Sequence, residues 1–131
     1  MASTLLLAVG ALAVPRPNVV IDEVTQVEKQ VIETYNQAAQ KFHEQQMSAN
    51  DFSTVLRDKV IAPWYSARVK LAGVRRLTGL QLKYLTYMGI REEAWEALLR
   101  AVPNDSPSDL ALFKEKNARA DALVKEILDS K

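Results

Sequence analysis

Proline interrupts this chain at only five places, positions 15, 17, 63, 103 and 107, and just four glycines add to them. An all-β sandwich or barrel needs a turn signal roughly every 8 to 12 residues. The long stretches between these breaks argue against that class and for helices. An apolar content of 48% with 25% charged residues is enough to build a core, so the chain is expected to fold rather than remain disordered.

Apolar spacing divides the chain into four amphipathic helices. Val24, Val27, Val31, Tyr35, Ala38 and Phe42 recur at steps of three or four, which places them on one face of a helix predicted over 19–47. Ser48 with Asp51 resembles a capping box that starts a second helix. Its stripe is Phe52, Val55, Leu56, Val60, Trp64, Ala67, Leu71 and Val74, and Pro63 within it predicts a kink at 59–63. Gly73 and Arg75-Arg76 end this helix, and a third starts near Thr78. Leu80, Tyr84, Met88, Trp95, Leu98 and Val102 mark its buried face, Pro103 its end, and Gly89 a slight bend or a close neighbour. Ser106-Pro107-Ser108-Asp109 opens the last helix with a cap and a proline at its first position. Its seam is Leu110, Phe113, Asn117, Ala120, Val124 and Ile127, with Asn117 the one polar member. Four helices with short connections predict an all-α up-down bundle, a single domain over 18–131 behind a leader at 1–17.

The leader is apolar over residues 3 to 14 and ends in Ala11-Leu12-Ala13 before Pro15 and Pro17. This reads as the hydrophobic region and cleavage pattern of an export signal, although Met1-Ala2-Ser3-Thr4 lacks the usual basic residue. A run this short does not cross ~30 Å of hydrocarbon as a helix rising 1.5 Å per residue. The alternatives are the remnant of a span, an apolar arm packed on the body, or a terminus that binds a partner.

No constellation of residues points to catalysis. With no cysteine and a single histidine, His43, neither a thiolate site nor a paired Glu-x-x-His di-iron site can form. His43 and Met47 lie on one predicted helix and cannot clasp a haem from both sides. There is no Gly-x-Ser-x-Gly elbow and no P-loop. Glu92, Glu93 and Glu96 cluster, but Arg91 and Arg100 beside them make a solvated charged face the expectation. The chain is therefore read as no enzyme, with no catalytic, cofactor-binding or metal residues.

A formal charge of +1 gives no field to attract nucleic acid. The basic run Arg68, Lys70, Arg75, Arg76 and Lys83 is expected to be a solvated face, with lipid headgroups or an acidic partner as its functional reading. Pro63, Trp64, Tyr65 and Arg68 combine a proline kink, two aromatics and a cation, and form the candidate partner groove. The bland alternative has Trp64 filling the gap at the kink with Tyr65 and Arg68 at the rim. A second candidate is an apolar ligand pocket between helices near Trp64, Tyr84 and Trp95.

Thr34-Tyr35-Asn36-Gln37-Ala38, then Val60-Ile61-Ala62-Pro63-Trp64-Tyr65-Ser66-Ala67-Arg68, then Arg91-Glu92-Glu93-Ala94-Trp95 precede a final helix. Over Thr34–Leu128 this order is similar to the helical extramembrane accessory segment of some bacterial rhomboid-family membrane proteins. The resemblance implies an accessory module rather than the protease, because the protease motifs are absent, and it carries over no catalytic residue. The expected function is a non-enzymatic protein-interaction module, periplasmic, secreted or membrane-tethered, with a protein partner that is itself compatible with membrane association. A small-ligand carrier is the alternative function and the cytoplasm the alternative location. A homodimer is compatible with an apolar arm buried on a second copy.

Overall fold

The computed structural model describes residues 17–130, and the leader expectation lies outside them apart from Pro17. Four helical rods follow in order: α1 (Pro17–His43), α2, α3 (Gly79–Asn104) and α4 (Pro107–Asp129). The rod α2 has three parts: Ala49–Val55 is α-helical, Leu56–Ile61 is π-helical and Ala62–Ala72 is α-helical again. The fold is all-α, with no strand among the described residues.

The capping residues act largely as their chemistry dictates. Ser48, Thr78 and Ser106 each accept a hydrogen bond from the backbone N–H three residues on, and Gln81 returns a bond to the Thr78 N–H to complete a capping box. Two helix ends differ from expectation. α1 stops at His43, short of 47, because Gln45 turns into the left-handed region at φ 61°. The Gln46 N–H then bonds the Lys41 carbonyl at 2.7 Å and the Gln45 N–H bonds the Phe42 carbonyl at 3.1 Å, closing a Schellman turn with glutamine where glycine is usual. At the end of α3, Pro103 lies within the last turn, and the helix stops after Asn104, where Asp105 has φ 49°. Pro103 offers no N–H to the carbonyl four residues back, and the helix ends one residue beyond it.

At the expected kink the structure has a π-helical segment, Leu56–Ile61, just before Pro63. The proline lacks an N–H and its ring crowds the carbonyl of residue 59, so the backbone widens and the Ala62 N–H reaches back five residues to the Arg57 carbonyl. The widening also decides which face is buried. Phe52, Leu56, Val60 and Trp64 are spaced by four, and in a regular α-helix such a series drifts ~40° per step. Through the π segment all four stay in the core, each at most 2% exposed.

Side-chain contacts give the directions of the rods. Phe42 stacks on Phe52 at 4.6 Å beside the first turn, while Glu23 pairs with Lys70 at the other end, so α1 and α2 are antiparallel. Lys83–Glu126 and Arg100–Asp109 make α3 and α4 antiparallel in the same way. Trp64 joins the two halves. Its indole N–H donates to the Met88 carbonyl at 2.8 Å, and its ring meets Trp95 edge-on at 4.8 Å and Tyr87 at 5.9 Å. From α1, Tyr35 reaches Trp95 at 5.5 Å.

One side of the bundle remains open. Among the described residues α4 brings its Cα atoms within 8 Å of α3 alone, and α1 comes that close to neither α3 nor α4. A closed four-helix bundle would bring these two rods together.

Gly89, expected to bend α3 or admit a neighbour, does neither by necessity. A Cβ built there meets nothing within 4 Å outside the local helix backbone. Gly89→Ala is therefore expected to stabilise the protein by about 0.5–1 kcal/mol, the helix-interior cost of glycine, as a higher urea midpoint at unchanged m-value.

Candidate functional site

The residues singled out in the sequence do not share one surface. Trp64 is fully buried, Pro63 is half-buried, and Tyr65 stands 52% exposed on the outside with the Arg68 guanidinium over its ring at 5.2 Å. Arg68 turns from there to Glu92, donating from Nε and Nη2 at 3.0 and 3.1 Å. The four thus form a core plug, Trp64, and its rim. Of the proposed ligand pocket, Trp64 and Trp95 belong to the core, and Tyr84 alone faces a cavity.

That cavity is the open side of the bundle. It is a groove of about 560 Å³ with α1 as one wall, α4 as the other and α3 as the floor. Ile21, Val24 and Ile32 line the first wall, Val124, Ile127 and Leu128 the second, and Leu80, Tyr84 and Tyr87 the floor. Leu128, 61% exposed, marks where the groove opens to the surface, while Val24, Tyr87 and Ile127 at its base are buried. Its size is in the range of about 300–1,000 Å³ typical of small-ligand sites, and its open form also suits one face of a peptide segment.

The polar groups of the groove come from Glu28 and Thr25 on α1 and from Tyr84, Tyr87 and Arg91 on α3. Glu28 Oε2, Tyr84 OH and Arg91 Nε are buried there without a close hydrogen-bond partner, and Glu28 stands near both phenols and Arg91 near Tyr87, so that a small shift pairs these groups with one another. Arg91, 7% exposed, spends its other nitrogens on α4, with Nη1 donating to Asn117 and Nη2 to Asp121 at 2.8 Å. Asn117, the polar member of the seam, thus serves as an acceptor that anchors α4 to α3. Burial pushes the Tyr84 and Tyr87 phenols well above their ordinary value, and the Glu28 carboxylate nearby adds to the effect.

The charged face expected on α3 is instead part of the packing. Arg91 and Glu92 are buried because α4 and α2 cover them, and only Glu93 and Glu96 of that acidic cluster face solvent. Burial and the neighbouring Glu92, itself paired with Arg68, raise the Glu96 carboxyl above its ordinary value. In the basic run, Arg68, Lys70 and Lys83 are held by Glu92, Glu23 and Glu126, so a uniform basic face is not what the fold displays. Among the described residues no three His, Asp or Glu side chains gather as a metal ion requires. His43 is exposed past the end of the α1 stripe.

The sequence reading missed Ile21, Glu28, Ile32, Arg91 and Leu128 as groove residues. A signal for the first three was present. Ile21, Thr25, Glu28 and Ile32 follow one another at steps of four, three and four, a second line beside the main α1 stripe. Two apolar edges on one helix mark two neighbours, and only one of them is a helix in this fold.

Two measurements probe these electrostatics. Arg68→Ala leaves the Glu92 carboxylate, 10% exposed, without its partner, and is expected to cost about 2 kcal/mol; the double variant Arg68→Met with Glu92→Leu should recover most of it in denaturant unfolding. Phenols whose ionisation is raised on folding stabilise the folded state fully below ~10, the unfolded phenol value, and lose that contribution as pH rises above it. Unfolding free energy should therefore fall from pH ~10 upward, and less steeply in Tyr84→Phe, as read by denaturant titration across that range.

No protein-family model matches the chain, and no curated protein or solved structure does either.

Proposed function

We propose that this chain is a non-enzymatic helical interaction module that receives an apolar, helix-sized segment of another protein in the groove between α1, α3 and α4. The observation that carries this reading is the apolar trough between α1, α3 and α4, whose two walls have no Cα pair within 8 Å and which opens to the surface at Leu128. Apolar lining at this scale on an open surface is a common feature of peptide recognition, in which one face of a segment is buried at regular steps. The accessory role implied by the rhomboid-like order of features is of the same kind. Placement outside the cytoplasm or on a membrane tether is motivated by the apolar residues 3 to 14. Among the described residues no helix is long and apolar enough to cross a membrane.

One observation favours a small-ligand carrier as a second reading. Tyr84 OH and Glu28 Oε2 bring a neighbouring phenol and carboxylate to an apolar cavity, the combination that orients a small molecule.

A photo-crosslinking residue in place of Leu128 distinguishes the two in extracts of the source cells. The module reading expects a discrete adduct of protein size at position 128, none from the same residue at position 65, and loss of the adduct when Ile32→Asp is added. A ligand that copurifies under native conditions and departs on denaturation, with no protein adduct, would replace the module by the carrier.

A further inference from the structure

Glu28 and Arg91 are the charged side chains that line the groove, and they are not equivalent. Arg91 already has its counter-charge. Its Nη2 donates to Asp121 at 2.8 Å, its Nη1 donates to Asn117, and its guanidinium lies over the Tyr87 ring at 5.3 Å. Glu28 has no such match. Among the described residues the carboxylates of Glu23, Glu92, Glu93 and Glu126 each meet a lysine or arginine, whereas Glu28 makes no ion pair and holds its Oε2 buried. With Arg91 balanced by Asp121, the groove carries one unmatched negative charge, about two turns along α1 from Ile21.

The phenols beside Glu28 do not remove that charge. Beyond burial itself, the Glu28 carboxylate raises both Tyr84 and Tyr87, a sign of how near it stands to them. A small shift lets their hydroxyls donate to it. A phenol is a neutral donor, however, and a carboxylate offers about four acceptor sites, so two phenols leave its charge and part of its acceptor capacity unused. The two rings, 5.6 Å apart, also present π faces, which attract a cation rather than an anion.

We propose that the segment received by the groove carries one basic side chain, a lysine or arginine, whose charge is set against Glu28 beside Tyr84 and Tyr87. This inference rests on the groove reading above and adds the chemistry by which one apolar segment is chosen over another. A wholly apolar segment would cover Glu28 and bury its charge without a partner, which is costly. An acidic segment would add a like charge, and Arg91 is already engaged by α4. A basic residue alone satisfies both conditions. Lysine and arginine also suit the path to Glu28, because their methylene stems lie along apolar surface such as Val24 and Val124 while the charged head reaches a polar group. Glu28 is then the residue that sets specificity, and the aliphatic walls supply the buried area.

Displayed random peptides of about 15 residues, long enough to form a helix once bound, are selected on the full-length protein. Each selected peptide is then tested on Leu128→Asp, which alters the exposed rim of the groove and leaves the core alone. Peptides that Leu128→Asp rejects are expected to hold a lysine or arginine three or four positions from an apolar residue. Replacing that basic residue by methionine should weaken binding about tenfold on the unmodified protein and little on Glu28→Gln, the coupling expected of a close charge pair across an interface. Glu28→Gln preserves the shape of the side chain, and an unchanged amide spectrum away from the groove separates loss of the charge from unfolding. Groove-dependent peptides that are wholly apolar or carry an acidic residue would overturn this inference and keep the interaction module. So would a basic residue whose loss costs the same on both proteins. If no selected peptide distinguishes the unmodified protein from Leu128→Asp, the module reading fails and this inference fails with it.

Discussion

Trp64 couples the two halves of the molecule. Its indole N–H is satisfied by a helix carbonyl of α3, and its ring fills the space between Tyr87 and Trp95, which in turn receives Tyr35 from α1. An aromatic of this size buried with its one polar atom bonded contributes both apolar area and a defined direction. The contact depends on the π segment of α2. Without the widening at Leu56–Ile61, a residue spaced by four from Val60 would rotate out of the core, and Trp64 would stand where Tyr65 does. Pro63 is therefore the local cause of a long-range arrangement.

From that junction, α3 becomes the wall shared by everything else. α2 is held on it by Trp64 and by Arg68 on Glu92, and α4 by Arg91 on Asn117 and Asp121 together with surface pairs at both ends. These buried charges orient the rods more than they stabilise them, because desolvation offsets much of their attraction. α1 reaches α3 through large side chains and has no Cα within 8 Å of α4, and the groove lies on that side of the bundle. The groove follows from how α3 divides its two faces between its neighbours.

Much of this architecture was legible in the sequence. The caps at Ser48, Thr78 and Ser106 are local hydrogen-bond chemistry and hold whatever the rest of the chain does. The stripes on α1, α3 and α4 report the core because a side chain three or four residues on lies on the same face of any α-helix. The end of α1 at His43 was not legible, since glutamine at a left-handed position gives no signal of the kind that glycine gives. The sequence left Trp64 between a groove residue and a core plug for a related reason: a proline signals a backbone disturbance, but not whether it opens a surface or is absorbed by a wider turn.

By itself the sequence determined the helices, their order and most of their buried faces, because capping and periodicity act within a few residues. The tertiary structure alone decided that Arg91 and Glu92 are interior, that Trp64 is a plug, and that α1 and α4 stand apart over an apolar trough. Those outcomes depend on which face of one rod meets which face of another. Residues far apart in the chain set that pairing through shape and desolvation, and no local pattern encodes it.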